Sequence, residues 1–161
     1  MSTSSTAMNP ATGRPPSLLA RVRGLYNGAA ALLDLLQPLA LLAARIYVAQ
    51  VFFLSGLTKL RDWETTVALF TDEYQVPLLS PELAATLGTG GELVLPVLLF
   101  LGLGGRFAAL GLFVVNAVAV VALADIPPAA LQQHQFWGAL LAGIAIFGAG
   151  KLALDNWLKL R

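Results

Sequence analysis

Apolar residues fall into four long runs, and the polar residues between them mark out the elements. The runs are Leu39 to Leu57, Leu83 to Leu103, Phe107 to Ala124 and Phe136 to Leu154. Each is near the roughly 20 residues a helix needs to cross a bilayer. Ser80 is a natural N-cap for the second run, with Pro81 at the first helical position. Gly104-Gly105 joins the second and third runs so closely that they must be antiparallel neighbours, and Pro127-Pro128 ends the third. Ahead of the first run, Leu18, Val22, Leu25, Ala29, Leu32 and Leu36 recur at helical spacing, while Arg21 and Arg23 fall off that stripe. Residues 17–37 therefore read as an amphipathic helix lying in the interface, separated from the first run at Pro38. The alternative is an N-terminal extension of the first spanning helix, broken at the same proline. The longest connection, Thr58 to Glu82, contains a short helix capped by Asp62, with Trp63, Val67 and Phe70 on its apolar side. It is expected to lie over the bundle mouth as a half-buried lid. Residues 1–16, rich in Ser, Thr, Pro and Gly, read as a disordered tail and not as a secretory signal.

Composition turns this pattern into a class. The chain of 161 residues is 57% hydrophobic and 12% charged, with a mean hydropathy of +0.74. A soluble domain carries about 25% charged residues, and so small a core could not hide these runs from water. The predicted fold is all-α: an integral membrane four-helix bundle over residues 38–158, with the amphipathic interfacial helix before it. The lipid bilayer is then its first partner. A net charge of +1 excludes nucleic acid as a partner. With no cysteine and one histidine, the chain builds no thiolate metal site, iron–sulfur cluster or bis-histidine haem, and no metal site is expected.

Orientation follows from the basic residues. Arg14, Arg21, Arg23, Arg106, Lys151, Lys159 and Arg161 fall on one side, and only Lys59 and Arg61 on the other. The positive-inside rule places both termini and the Gly104-Gly105 turn in the cytoplasm of a multi-pass inner-membrane protein. Trp63, Trp137 and Trp157 all fall at membrane boundaries drawn without them. Small residues four apart on the fourth run, such as Gly138 and Ala142, mark helix packing within the bundle.

Polar residues inside the membrane are costly and mark candidate sites. Arg45 and Gln50 lie on the first run, Glu92 on the second and Asn116 on the third. At about 1.5 Å per residue, Gln50, Glu92 and Asn116 all lie about 15–18 Å from the cytoplasmic helix ends, and Arg45 about 10 Å. An Arg45–Glu92 pair, fixed by Gln50 and Asn116, is the expected arrangement; it would serve either as a ligand site or to hold helix register. Pro96, four residues after Glu92, frees the Glu92 carbonyl and favours a kink. Ser55, Lys59 and Arg61 cluster at the outer end with Asp62 and Glu64, and with His134 as a further candidate, as interfacial anchors or as a polar mouth for a quinone head group or a partner protein. His134 is expected to make a loop hydrogen bond.

Arg45, Ser55-Gly56-Leu57-Thr58-Lys59-Leu60, Gly91-Glu92-Leu93 and Gly102-Leu103-Gly104-Gly105-Arg106, in that order and on those helices, resemble the DoxX family of bacterial four-helix membrane proteins. The resemblance covers roughly residues 41–152. The stretches Arg45-Ile46-Tyr47, Val51-Phe52-Phe53, residues 73–79 and residues 110–116 are similar to the branch found with biosynthesis clusters for bufferin-like, copper-binding peptides. Some family members resemble small subunits of a thiosulfate:quinone oxidoreductase. That implies an electron path to a membrane quinone, with Arg45, Lys59 and Glu92 as the matching polar positions.

Two functions of different class follow. In one, the chain is a quinone-linked redox subunit serving a separate oxidoreductase. Its cofactor-binding residues are then Arg45, Gln50, Lys59, Glu92 and Asn116, and the quinone is bound, since no carrier is built in. In the other, it is a non-catalytic anchor in a peptide-modification or metal-handling complex, held to a membrane or periplasmic protein partner by the lid. A transporter ranks last, since inverted repeats are not recognisable. The residues leave open whether the chain is an enzyme.

Overall fold

The computed structural model describes residues 17–159, so the tail expected over residues 1–16 lies outside the described residues. Six helices follow one another: α1 Leu18–Arg61, α2 Trp63–Asp72, α3 Pro81–Leu101, α4 Gly105–Ala122, α5 Pro128–Phe147 and the short α6 Leu154–Trp157. The chain divides into two compact units, Met1–Leu35 and Leu36–Arg161. In the first, Ser17 Oγ accepts from the Ala20 N–H at 3.3 Å, and nearly every helical side chain is exposed.

The helix expected over residues 17–37 is present, but the break expected at Pro38 is not. α1 is a single helix of 44 residues with Pro38 inside it. Proline removes its own N–H and crowds one preceding carbonyl, a local cost that a long apolar helix absorbs through its flanking hydrogen bonds.

In the second unit, α1, α3, α4 and α5 form the bundle. α1, α3 and α4 are each long and apolar enough to cross a membrane. The core is built from Val48, Phe52, Leu99, Leu112, Leu141 and Ile144, with Ala108 and Ala109 filling the narrow places. Large apolar side chains such as Phe107, Val121 and Phe147 point outward, while Arg45, Thr89, Glu92 and Asn116 are buried. Apolar outside and polar inside is the arrangement lipid favours. The protein is an all-α membrane bundle.

Small residues set the helix spacing. A Cβ on Gly56 would stand 2.9 Å from Leu93 Cγ, and one on Gly111 would stand 2.8 Å from Leu95 Cδ1. These glycines hold α1 and α4 close against α3. The turn between α3 and α4 uses left-handed backbone at Gly102 (φ 72°) and Gly104 (φ 58°), which glycine adopts without penalty.

α3 and α4 begin two residues earlier than the apolar runs, and α5 begins eight residues earlier, at Pro128 rather than Phe136. Pro127 is its N-cap and Pro128 its first residue, and the Leu131 N–H bonds the Pro127 carbonyl at 2.9 Å. Proline is suited to that position because its missing N–H would be unused there. Gln132 to Gln135 thus lie on helix, not loop. The helix stops at Phe147, where Gly148 turns to φ 95°, so the stretch to Leu154 is not helical.

α2 crosses one end of the bundle as the expected lid. The Asp62 carboxylate accepts from the Thr65 N–H at 3.0 Å and from Thr65 Oγ1 at 2.7 Å. Thr66 Oγ1 reaches the Lys59 and Asp62 carbonyls at 2.8 and 2.9 Å, tying α2 to the end of α1. After α2 the chain pairs with the end of α4: Tyr74 bridges to Leu123, and the Gln75 N–H bonds the Ala122 carbonyl at 2.9 Å.

Candidate functional site

Beneath α2 lies a cavity of about 450 Å³, enclosed by all four bundle helices and by the segment after α2. α1 contributes Phe52, Ser55 and Lys59, α3 contributes Gly88 and Glu92, α4 contributes Val115 and Ala119, and α5 contributes His134 and Trp137. Phe70, Tyr74 and Val76 close it from the lid side. The walls are mainly apolar, with a few convergent polar groups, the usual make-up of a small-molecule site.

The polar centre is an ion pair. Lys59 Nζ stands 2.6 Å from Glu92 Oε2 and 2.9 Å from Ser55 Oγ, and both charged side chains are mostly buried. An ammonium has three N–H donors, so one remains for a ligand after these two bonds. Gly56, packed on Leu93 and the Glu92 Cβ, sets the register that lets the Lys59 stem fold down to the carboxylate. Tyr74 lies on the lid beside this pair. Burial first, then the negative charges of Glu73 and Glu92, raise its pKa above the ordinary 10.0. The phenol therefore stays protonated and able to donate a hydrogen bond.

Glu92 thus pairs with Lys59, not with Arg45 as the depth argument expected. The Arg45 guanidinium turns to the other end of the bundle. Its Nε donates to the Leu99 carbonyl at 2.9 Å, Nη2 to Phe100 at 2.6 Å and Nη1 to Ala149 at 2.9 Å. The last carbonyls of a helix lack intrahelical partners and carry the negative end of its dipole. A planar five-donor fork satisfies several of them at once. Nearby, the two Asp155 oxygens accept from the Gly104 and Gly105 N–H groups at 2.8 and 2.9 Å, capping the positive end of α4. Neither Arg45 nor Asp155 lines the cavity.

Gln50 is exposed on α1 and joins no polar cluster among the described residues. Asn116 is buried on α4 and bonds α5: Nδ2 donates to the His134 carbonyl at 2.9 Å, and Oδ1 faces His134 Nδ1 at 2.8 Å. Of the five residues singled out in the sequence, Lys59 and Glu92 meet in the cavity and Asn116 stands behind its wall. Tyr74 had been passed over, while Ser55 and His134 had been placed only in the polar cluster at the outer end. His134 read as a loop residue because of the three glutamines beside it, Gln132, Gln133 and Gln135. The Pro127-Pro128 pair was the signal that a helix begins there. Among the described residues, no group of three or more His, Asp or Glu side chains is placed to hold a metal ion.

The family model described as DoxX matches residues 40–125, more than half of the chain. The match takes in the lid, α1 from residue 40 onward, α3 and α4, including Lys59, Tyr74 and Glu92, while His134 and Trp137 lie beyond it. Comparison with curated proteins and with solved structures gives no match. A membrane bundle with this ordered set of glycine turns and buried charges, matched over its first three helices, belongs to the DoxX family.

Proposed function

We propose that the chain is a membrane redox subunit that binds a quinone in the cavity under α2 and serves a separate oxidoreductase. The observation that carries this reading is the cavity itself. It joins apolar walls, suited to a quinone ring and its tail, to a cationic donor with one N–H unspent. Lys59 and the Tyr74 hydroxyl are the groups suited to hold a quinone oxygen, and Glu92, 2.6 Å from Lys59 Nζ, holds the Lys59 side chain in place at the cavity. Arg45, Gln50 and Asn116 are not direct ligands in this reading. The chain has no cysteine thiol to carry electrons, so they come from a partner protein. Counted along the sequence, the excess of basic residues favours an inner-membrane location with cytoplasmic termini, and in this reading the end of α1 at Lys59 and Arg61 faces the opposite side.

The test is to purify the full chain in mild detergent and extract lipid-soluble cofactors. Near-stoichiometric quinone is expected in wild type, falling at least about tenfold in Lys59→Met and in Glu92→Gln, since one lost charged hydrogen bond costs that much. The double variant Lys59→Met/Glu92→Leu removes both charges together, so it should regain stability lost by the single variants without regaining quinone. Folded wild type without quinone would contradict the reading. A second reading, a non-catalytic anchor in a peptide-modification or metal-handling complex, is favoured by one feature. The outer side of α2 bounds an open groove of about 780 Å³ with Glu64, Asp72 and Glu82 on its walls, a surface suited to a basic partner.

A further inference from the structure

We infer that His134 discriminates the redox state of the bound ligand: its Nε2 accepts a hydrogen bond from a quinol hydroxyl, so the cavity holds the dihydroxy form more tightly than the quinone. The inference rests on the quinone-binding reading above and assigns a residue outside it.

The bonding around Asn116 fixes the imidazole. A backbone carbonyl can only accept, so the Asn116 atom 2.9 Å from the His134 carbonyl is the amide NH2. The other amide atom, the carbonyl oxygen, then faces His134 Nδ1 at 2.8 Å. An amide oxygen also only accepts, so the proton sits on Nδ1. A neutral imidazole has one N–H, which leaves Nε2 as a bare acceptor. Among the described residues Nε2 has no hydrogen-bond partner, and it is not one of their fully enclosed polar atoms without a partner, which comprise Thr89 Oγ1 alone. His134 lines the cavity, so Nε2 is open to what the cavity holds.

Two neighbours hold this arrangement. The Trp137 ring meets the His134 ring edge-on with centroids 5.1 Å apart. A Cβ on Gly138 would come 3.2 Å from Asn116 Nδ2, so the glycine on α5 leaves room for the amide to reach the His134 carbonyl. Asn116 is thus a positioning residue, acting through His134.

The two ends of the ligand are read differently. The free N–H of Lys59 donates to an oxygen of either form and is blind to redox state. At His134 a quinone carbonyl would set lone pair against lone pair, whereas a quinol hydroxyl donates. A site that presents an unpaired polar group to the wrong analogue rejects it.

The full chain in detergent would be titrated under anaerobic conditions with a short-chain substituted benzoquinol and with its quinone, following quenching of Trp137 fluorescence. Wild type is expected to bind the quinol about tenfold tighter or more, the usual effect of one unmade hydrogen bond in a buried site. Asn116→Leu frees the tautomer and His134→Phe removes the acceptor. In each the ratio should fall to within about threefold, with both forms still bound. Equal binding in wild type, or a ratio unchanged in Asn116→Leu, overturns the inference and leaves quinone binding standing. Binding of neither form overturns both.

Discussion

Two buried cations, Arg45 and Lys59, solve the same problem with different chemistry. Lys59 meets one carboxylate and one hydroxyl as a compact point charge. Arg45 spreads its donors over the carbonyls of Leu99, Phe100 and Ala149, which belong to two separate chain segments. The fit is close: a Cβ on Gly102 would stand 2.6 Å from Arg45 Nη2, at a backbone φ that already favours glycine. Arg45→Lys keeps the charge but loses the fork. It is expected to cost about 2–3 kcal/mol through the Phe100 and Ala149 carbonyls left without the fork, with quinone content per folded molecule unchanged. Unfolding of the detergent-solubilised variant, followed alongside quinone extraction, checks both halves. A stable variant that had lost quinone would instead place Arg45 at the ligand. The depth of each polar residue was legible from its distance to a helix end, which is why Glu92 and Asn116 were found. Its direction was not. Nothing in the spacing said that the carbonyls ending α3 would compete for Arg45 and win, leaving Glu92 to Lys59 across the Gly56 contact.

Helix ends carry much of the remaining logic. Asp62 before α2 and Ser80-Pro81 before α3 were readable because a capping residue acts on its own neighbours: Asp62 accepts from Thr65, and Ser80 Oγ from the Leu83 N–H at 3.4 Å. Asp155 capping α4 from 50 residues away left no local signal. The start of α5 was hidden because hydropathy weighs Gln132 to Gln135 as loop, although all four fit a helix opened by Pro128. The bonds from the Thr65 side chain and then its backbone N–H lower the Asp62 pKa below its ordinary 3.8. A carboxyl whose folded pKa is depressed stabilises above its unfolded value, and that contribution is lost as pH falls through the folded one. Amide exchange in α2, corrected for intrinsic rates, should therefore keep its protection down to about pH 4 and lose it as pH falls further in wild type. Asp62→Asn, whose cap does not titrate, should show no such loss. Equal loss in both would mean that Asp62 does not hold the lid.

At the scale of the whole molecule, the two ends of the bundle do different work. One end is locked by Arg45 and Asp155 across helix termini and has few groups to spare. The other is roofed by a 10-residue helix over a cavity that keeps unspent hydrogen-bonding groups at Lys59, Tyr74 and His134. Hydropathy alone showed that apolar helices must share a bundle, but not which end would be open, because that depends on how α1 is rotated against α3. The most direct test is photolabelling of the full chain in lipid with an azido-quinone, followed by peptide mapping. Label is expected on the cavity walls, in residues 51–59, 70–79 and 130–137, and competed away by unmodified quinone. Competed label at the opposite end, around Arg45 and residues 99–106, would contradict the assignment of the cavity as the quinone site.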